Sequence, residues 1–150
     1  GSDNLIIAGI PPRGATLARR LINRLRDVSA GNADLAIIDT TMFRDDLASQ
    51  PLRAPKETLI PVTGIDGKTV VLVDDVLYTG RTIKAALDAL TRIGRPAAVQ
   101  LAVLIDRGHR ELPIRPDYVG KNLPTSRDES VTILLDEIDG RDGVLLGKGL

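Results

Sequence analysis

Two adjacent carboxylates, Asp74 and Asp75, directly follow the apolar run Val70-Val71-Leu72-Val73. A short spacer, Val76-Leu77-Tyr78, leads from them to Thr79-Gly80-Arg81-Thr82, and the helical run of residues 83–90 comes next. Small and hydroxyl-bearing residues at a helix N-terminus suit a phosphate, because free N–H groups point outward there and the helix dipole favours an anion. The two aspartates are placed to accept hydrogen bonds from sugar hydroxyls or to face a hard cation. Together these residues point to one phosphate, one sugar and Mg²⁺. The plain alternative is a strand, an acidic turn and a capped helix with no ligand. Against it, adjacent aspartates repel, and only Arg81 nearby on the chain offsets them. The Gly-Lys-Ser/Thr ending of a P-loop is absent, and no Gly-x-Gly-x-x-Gly follows a strand.

A second strand–loop–helix unit precedes this one. The apolar run 5–10 reads as a buried strand ending at Pro11-Pro12-Arg13-Gly14. A helix is expected over 15–27, with Leu17, Ala18, Leu21, Ile22 and Leu25 at helical spacing. Arg13 and Gly14 at the junction could grip a second anion, or be a Pro-rich turn with a surface arginine. Residues 33–41 read as another strand, and Phe43-Arg44-Asp45-Asp46-Leu47 follows it. Over 48–66 the pattern breaks at Pro51, Pro55, Pro61 and Gly64, with a brief pairing possible at Thr58-Leu59-Ile60. A loop this long is a lid or a surface excursion. Asp39, Thr41 and Arg44 lead into it, and Arg44 is the expected phosphate contact.

Positioning these groups takes a sheet. Four consecutive aliphatic residues at 70–73 suit a strand covered on both faces. After the helix to Ile93, Gly94 is placed as its C-terminal cap with Pro96 beyond. Residues 97–105 form another apolar strand. Strand–helix alternation gives a doubly wound α/β fold with a mainly parallel sheet, whose ligands bind at the carboxyl ends of the strands. Residues 131–135 and 143–146 are expected to close the chain as an antiparallel hairpin across Asp139-Gly140-Arg141-Asp142.

The length of 150 residues suits one domain, read here as 3–150 after a tag remnant, Gly1-Ser2. The 20 basic and 20 acidic residues balance, so no global charge signals a nucleic-acid partner, although a local basic patch remains open. The absence of cysteine excludes disulfides and thiolate metal sites. One Phe, two Tyr and no Trp argue against an aromatic stacking platform for single-stranded nucleic acid. No apolar run reaches membrane-spanning length, and a cytoplasmic soluble protein is expected.

Residues 71–82 resemble the phosphoribosyl pyrophosphate (PRPP) signature of the type I phosphoribosyltransferases: an apolar run, two acids, a short spacer and Thr-Gly-x-Thr. Further matches single out the pyrimidine operon regulators that double as uracil phosphoribosyltransferases. They are Phe43-Arg44-Asp45-Asp46-Leu47, Gly94-Arg95-Pro96, the run 101–115 and Asp117-Tyr118-Val119-Gly120-Lys121-Asn122-Leu123-Pro124-Thr125-Ser126.

The resemblance implies a pentosyltransferase that converts PRPP and uracil to UMP and pyrophosphate. Asp74, Asp75, Val76, Leu77, Tyr78, Thr79, Gly80, Arg81 and Thr82 would bind PRPP. Pro12, Arg13 and Gly14 would bind pyrophosphate, with Asp74, Asp75, Arg13 and Arg44 catalytic. Mg²⁺ would be held mainly through the substrate, beside Asp74 and Asp75. The family usually has Thr or Lys-Thr before Arg-Gly; Pro12 removes an N–H and a hydroxyl there. A base-binding hood is expected over 107–126, with Tyr118, Val119 and Lys121 at the pyrimidine. Purine-using relatives often carry Asp where Tyr78 stands, which disfavours a purine. The regulatory role implies UMP or UTP as co-ligand and pyrimidine operon mRNA bound through Arg19, Arg20, His109, Arg110, Arg115 and Lys121 on a homodimer or higher homo-oligomer. From the residues alone, each of these is a solvated surface group, and His109 is a turn histidine rather than a general base. Such relatives carry a further helical segment before the first strand, whereas this sequence starts almost at that strand. Alternatives are a non-catalytic PRPP or nucleotide sensor and a phosphoribosyltransferase for another base.

Overall fold

The computed structural model describes residues 4–28, 33–41 and 58–148. Strand β1 (Leu5–Gly9) feeds helix α1 (Arg13–Val28), which returns to β2 (Asp34–Ile37). Strand β3 (Thr69–Leu77) feeds α2 (Arg81–Ile93), which returns to β4 (Ala98–Asp106), and β5 (Tyr118–Asn122) follows. The five strands form one sheet in the order β2-β1-β3-β4-β5, and every neighbouring pair is parallel. Strand–helix–strand returns of this kind give a doubly wound sheet with its ligand edge at the strand carboxyl ends.

Alternation along the strands explains why they read as unbroken apolar runs. Ile6, Ala8, Val70, Leu72, Leu101 and Val103 face one side, where Ile83, Ala86 and Leu90 of α2 cover them. Ile7, Val71 and Val73 face the other, against Ala18 and Ile22 of α1. Successive side chains of a strand point to opposite faces, so a sheet sandwiched between helices must be apolar at every position.

Helix α1 begins at Arg13, two residues before the expected start. Pro11 and Pro12 form the turn before it, joined by a cis peptide bond. Strand β2 is shorter than the run 33–41. The expected pairing at Thr58-Leu59-Ile60 is a single antiparallel bridge between Leu59 and Ile37. Most of the loop expected over 48–66 lies outside the described residues, as does Arg44.

The chain closes with β6 (Glu129–Leu134), a one-turn helix α3 (Asp136–Asp139) and β7 (Gly143–Lys148). Strands β6 and β7 pair antiparallel, as the sequence implies. Ile133 and Leu135 pack with Ile105 and with the partly buried Leu17, Val76, Leu104 and Leu123. The closing unit is thereby seated across β4 and the start of α1. No helix among the described residues is long and apolar enough to cross a membrane.

Candidate active site

Strand β3 does not stop at Val73. It runs through both aspartates to Leu77, because its ladder with β4 continues past the point where β1 ends. Asp74 lies opposite Val103, Val76 opposite Ile105 and Leu77 opposite Asp106, whereas the last β1 partner is Gly9 opposite Val73. The acidic pair is therefore a strand end with one flank uncovered, rather than the loop the sequence suggests. Each carboxylate turns one oxygen back on the chain. Asp75 N–H donates to Asp74 Oδ1 at 2.9 Å, and Val76 N–H donates to Asp75 Oδ1 at 2.8 Å. Asp74 is buried and Asp75 half-buried.

The uncovered flank opens into a polar cavity of about 220 Å³. Pro12 and Arg13 from the first loop, Asp74, Asp75 and Val76 from β3, and Thr82 from α2 line it. Thr40 lines it as well. The sequence reading passed over Thr40, although it is buried and stands among the polar residues 39–41 after β2, where a carboxyl-edge residue was to be sought. Gly14 does not line the cavity but packs against β3, where a Cβ on it would stand 2.3 Å from the Val73 carbonyl oxygen.

Helices α1 and α2 both start at this edge. Gly80 is the N-cap of α2, with φ 93°, and no side chain caps the helix. Thr79 Oγ1 accepts from Arg81 N–H at 3.3 Å, and Lys84 N–H returns to Gly80 C=O at 3.0 Å. The first-turn N–H groups between them are the donors an anion would use.

The carbonyl side of the same loop is fully occupied. Arg107 N–H donates to Leu77 C=O at 3.1 Å, and Arg110 Nη1 to Tyr78 C=O at 3.1 Å. Thr79 C=O accepts from Glu111 and Leu112 N–H. Segment 107–112 thus backs the loop between β3 and α2 and satisfies its carbonyls. Arg110 is itself clamped, with Asp106 at 2.8 Å and Ile114 C=O at 2.8 Å. Burial pushes the Asp106 carboxyl up, but the hydrogen bonds from Arg110 and Gly108 N–H outweigh it and hold its pKa below the ordinary value. Arg107 is buried with its guanidinium 4.1 Å over the Tyr78 ring, and it donates to Thr125 Oγ1 at 3.1 Å and Ser126 C=O at 3.1 Å. The His109 ring meets the Tyr78 ring edge-on at 5.8 Å, and its Nε2 contacts Thr125 C=O.

The residues expected at the base and on an RNA face are placed as follows. Residues 118–122 form the outermost strand of the sheet. Tyr118 lies opposite Ala102 with its hydroxyl on Gln100 at 3.2 Å, and Val119 packs into the core. Lys121 is exposed opposite Ile105. None of the three lines the polar cavity, but Tyr118 and Val119 line a second, mostly apolar cavity of about 260 Å³ that shares Asp74 with it. Of the six residues expected on an RNA face, His109 and Arg110 point inward, and Arg20 is engaged by Glu137 and by Asp142 at 2.7 Å. Those acids raise the Arg20 pKa above its already high ordinary value. Arg19, Arg115 and Lys121 remain exposed.

Arg13 lines the cavity as expected, but it is not a loose cation. Its Nε donates to Ile133 C=O at 2.7 Å and its Nη2 to Asp139 at 2.9 Å.

The phosphoribosyl transferase domain family matches residues 1–133 of the chain. The chain belongs to this family. Its relatives are closer than the family alone implies. It is 62% identical over 147 residues to the bifunctional protein PyrR of Streptomyces coelicolor, covering 98% of this chain and 76% of that one. To the bifunctional protein PyrR of Mycobacterium tuberculosis it is 56% identical, with the same coverage. The phosphoribosyltransferase fold is seen directly in a hypoxanthine phosphoribosyltransferase from Staphylococcus aureus, with TM-score 0.65 at 22% identity over 97% of this chain and 76% of that one. A hypoxanthine-guanine phosphoribosyltransferase from Bacillus anthracis superposes with TM-score 0.60 at 18% identity over 80% of this chain and 68% of that one. Among the described residues this phosphoribosyltransferase shows no three acidic or histidine groups converging as a metal site.

Proposed function

We propose that this phosphoribosyltransferase transfers the phosphoribosyl group of PRPP to uracil, giving UMP and pyrophosphate. The observation that carries the reading is the shared polar cavity. It brings the acidic end of β3, the start of α2 and Arg13 together in a chain 62% identical to a bifunctional protein PyrR. The 5′-phosphate would sit on the first-turn N–H groups of α2 with Thr79 and Thr82. Asp74 and Asp75 would hold the ribose hydroxyls. Pyrophosphate would lie against Arg13 and the Arg13–Gly14 end of α1.

The reaction builds negative charge on the departing pyrophosphate and positive charge on the ribose carbon. Arg13 opposes the first and the carboxylates the second, so catalysis is positioning plus electrostatics. The donor set fits Mg²⁺ carried by the substrate: two carboxylates together with substrate phosphates are what this ion takes, without an all-protein cage. Bound so, it would supply charge neutralisation on the leaving group. Tyr78, whose side chain is held by Arg107 and His109, supports a pyrimidine over a purine.

The relatives are called bifunctional. The second function in this reading is regulation of pyrimidine operon expression by uridine-nucleotide-dependent mRNA binding, on a homodimer or larger homo-oligomer. Arg19, Arg115 and Lys121 are its exposed candidate contacts.

The test is Mg²⁺-dependent pyrophosphate release from PRPP with uracil, orotate, hypoxanthine or no base. Turnover with uracil alone supports the reading. Turnover with hypoxanthine, or PRPP binding without turnover, moves the chain to another base or to a sensor. Operon mRNA binding should weaken steeply with salt.

A further inference from the structure

The family match ends at residue 133, yet Arg13, the one arginine lining the cavity among the described residues, is held from beyond that point. Asp139, at the end of α3, accepts from Arg13 Nη2 through Oδ1 at 2.9 Å. Its other oxygen, Oδ2, accepts from Leu135 N–H at 2.8 Å, which fixes the carboxylate against its own helix. Arg13 Nε donates to Ile133 C=O at 2.7 Å. Both partners in the ion pair are largely shielded, with side chains 26% and 17% exposed. One turn pair farther along α1, Arg20 binds Glu137 and Asp142, which ties the same closing segment to the same helix face.

The guanidinium has five N–H donors in a planar fork. Ile133 and Asp139 use the Nε–Nη2 side of that plane. Nη1 has no partner among the described residues, and Arg13 lines the polar cavity. An arginine gripped along one edge is pre-oriented along the other, so it loses less rotamer freedom when an anion arrives.

We propose that Asp139 is a positioning residue for the leaving group: it aims Arg13 at pyrophosphate, so a carboxylate outside the matched domain tunes the site within it. The role rests on the pyrophosphate reading given above. It is specific to the pyrophosphate half of the cavity, because nothing in this network touches Thr79, Thr82 or the start of α2.

Calorimetry with Mg²⁺-pyrophosphate and, separately, with UMP tests it, alongside KM for PRPP and kcat. Replacing Asp139→Asn keeps an acceptor for Leu135 but removes the negative charge that faces Arg13. Pyrophosphate binding should weaken by about tenfold and KM for PRPP rise alike, a charge-assisted hydrogen bond being worth about that factor. UMP affinity should stay within about twofold. Glu137→Gln, which loosens Arg20 alone, should leave both ligands within about twofold. Arg13→Lys should weaken pyrophosphate, and adding Asp139→Asn to it should cost little more, since the pair acts as a unit. If Asp139→Asn does not fold, Asp139→Glu takes its place under the same criteria.

Unchanged or tighter pyrophosphate binding in Asp139→Asn overturns the role, the latter making Asp139 a competitor of the ligand. Parallel loss of UMP and pyrophosphate overturns it in favour of a structural contact. Wild-type binding of UMP without pyrophosphate overturns it while leaving the nucleotide site standing. Wild-type binding of neither overturns the functional reading and this role together.

Discussion

Arg110 donates from Nη1 to the main-chain carbonyl of Tyr78 at 3.1 Å while its Nη2 meets Asp106 at 2.8 Å. A side chain from the loop after β4 thus holds the backbone of the loop after β3. The phosphate loop can present N–H groups outward because its carbonyls are satisfied from behind. Arg110→Ala leaves the Tyr78 and Ile114 carbonyls without this donor and the Asp106 carboxylate without its cation. Groups orphaned in this way cost about 1–3 kcal/mol each when buried. UMP affinity should fall by about tenfold or more, with a lower melting temperature. Calorimetry and thermal denaturation read the two effects, and wild-type UMP affinity in the variant would contradict the support role.

The same contact predicts a pH dependence. Asp106 has its folded pKa below the ordinary 3.8. Ionised Asp106 therefore favours the folded state at every pH above 3.8, and that contribution is lost as pH falls through the lower folded value. The groups facing it are Arg110 and Gly108 N–H, neither of which titrates in that range. Asp106→Asn should melt below wild type near neutral pH. The gap should narrow as the pH is lowered below the ordinary 3.8 and through the depressed folded value. A gap that stays constant over the titration would remove Asp106 ionisation as its cause.

Two glycines carry the site's backbone geometry. Gly80 has φ 93°, and a Cβ there would stand 3.3 Å from Ile114 Cδ1. An alanine in this left-handed region costs about 1–2 kcal/mol, so Gly80→Ala should weaken UMP binding with modest loss of stability. Gly14 is a different case. Its Cβ would come 2.3 Å from Val73 C=O, a backbone atom that cannot move aside. Gly14→Ala should destabilise the whole domain by about 3 kcal/mol or more. Urea denaturation separates the two, and equal destabilisation would contradict the distinction.

Much of this was legible in the residues. Apolar runs at 5–10, 70–73 and 97–105 point to a sheet covered on both faces, and the acids with Thr82 mark the edge where the polar cavity opens. The mismatches share one physical origin. Whether a polar residue near a strand end continues the strand depends on its neighbour's ladder, and local pattern does not report that. Asp74 and Asp75 are strand residues because β4 extends as far as they do. Arg13, Arg20 and Arg110 each read as free cations, and each is engaged by an acid 4 to 126 positions away. Arg107 gave no signal at all: an arginine in a charged stretch is ordinarily exposed, and only the Tyr78 ring and the 125–129 carbonyls explain its burial.

Magnesium is expected to act with the substrate rather than with the protein alone. Asp74 and Asp75 are consecutive strand residues, each with one oxygen turned back to the main chain. Both line the cavity, but two carboxylates leave an octahedral ion short of ligands, and no third acidic or histidine ligand joins them among the described residues. Pyrophosphate oxygens supply what is lacking, and UMP has none. Chelation by EDTA should therefore abolish pyrophosphate release while leaving UMP affinity within about twofold, Mg²⁺ by itself giving no binding heat. Asp75→Asn should lower turnover by about 100-fold, the scale of losing one preorganised electrostatic group at a reacting centre. Its UMP affinity should fall far less. Tight binding of Mg²⁺ to the ligand-free protein would require a metal site that the aspartate pair alone does not make.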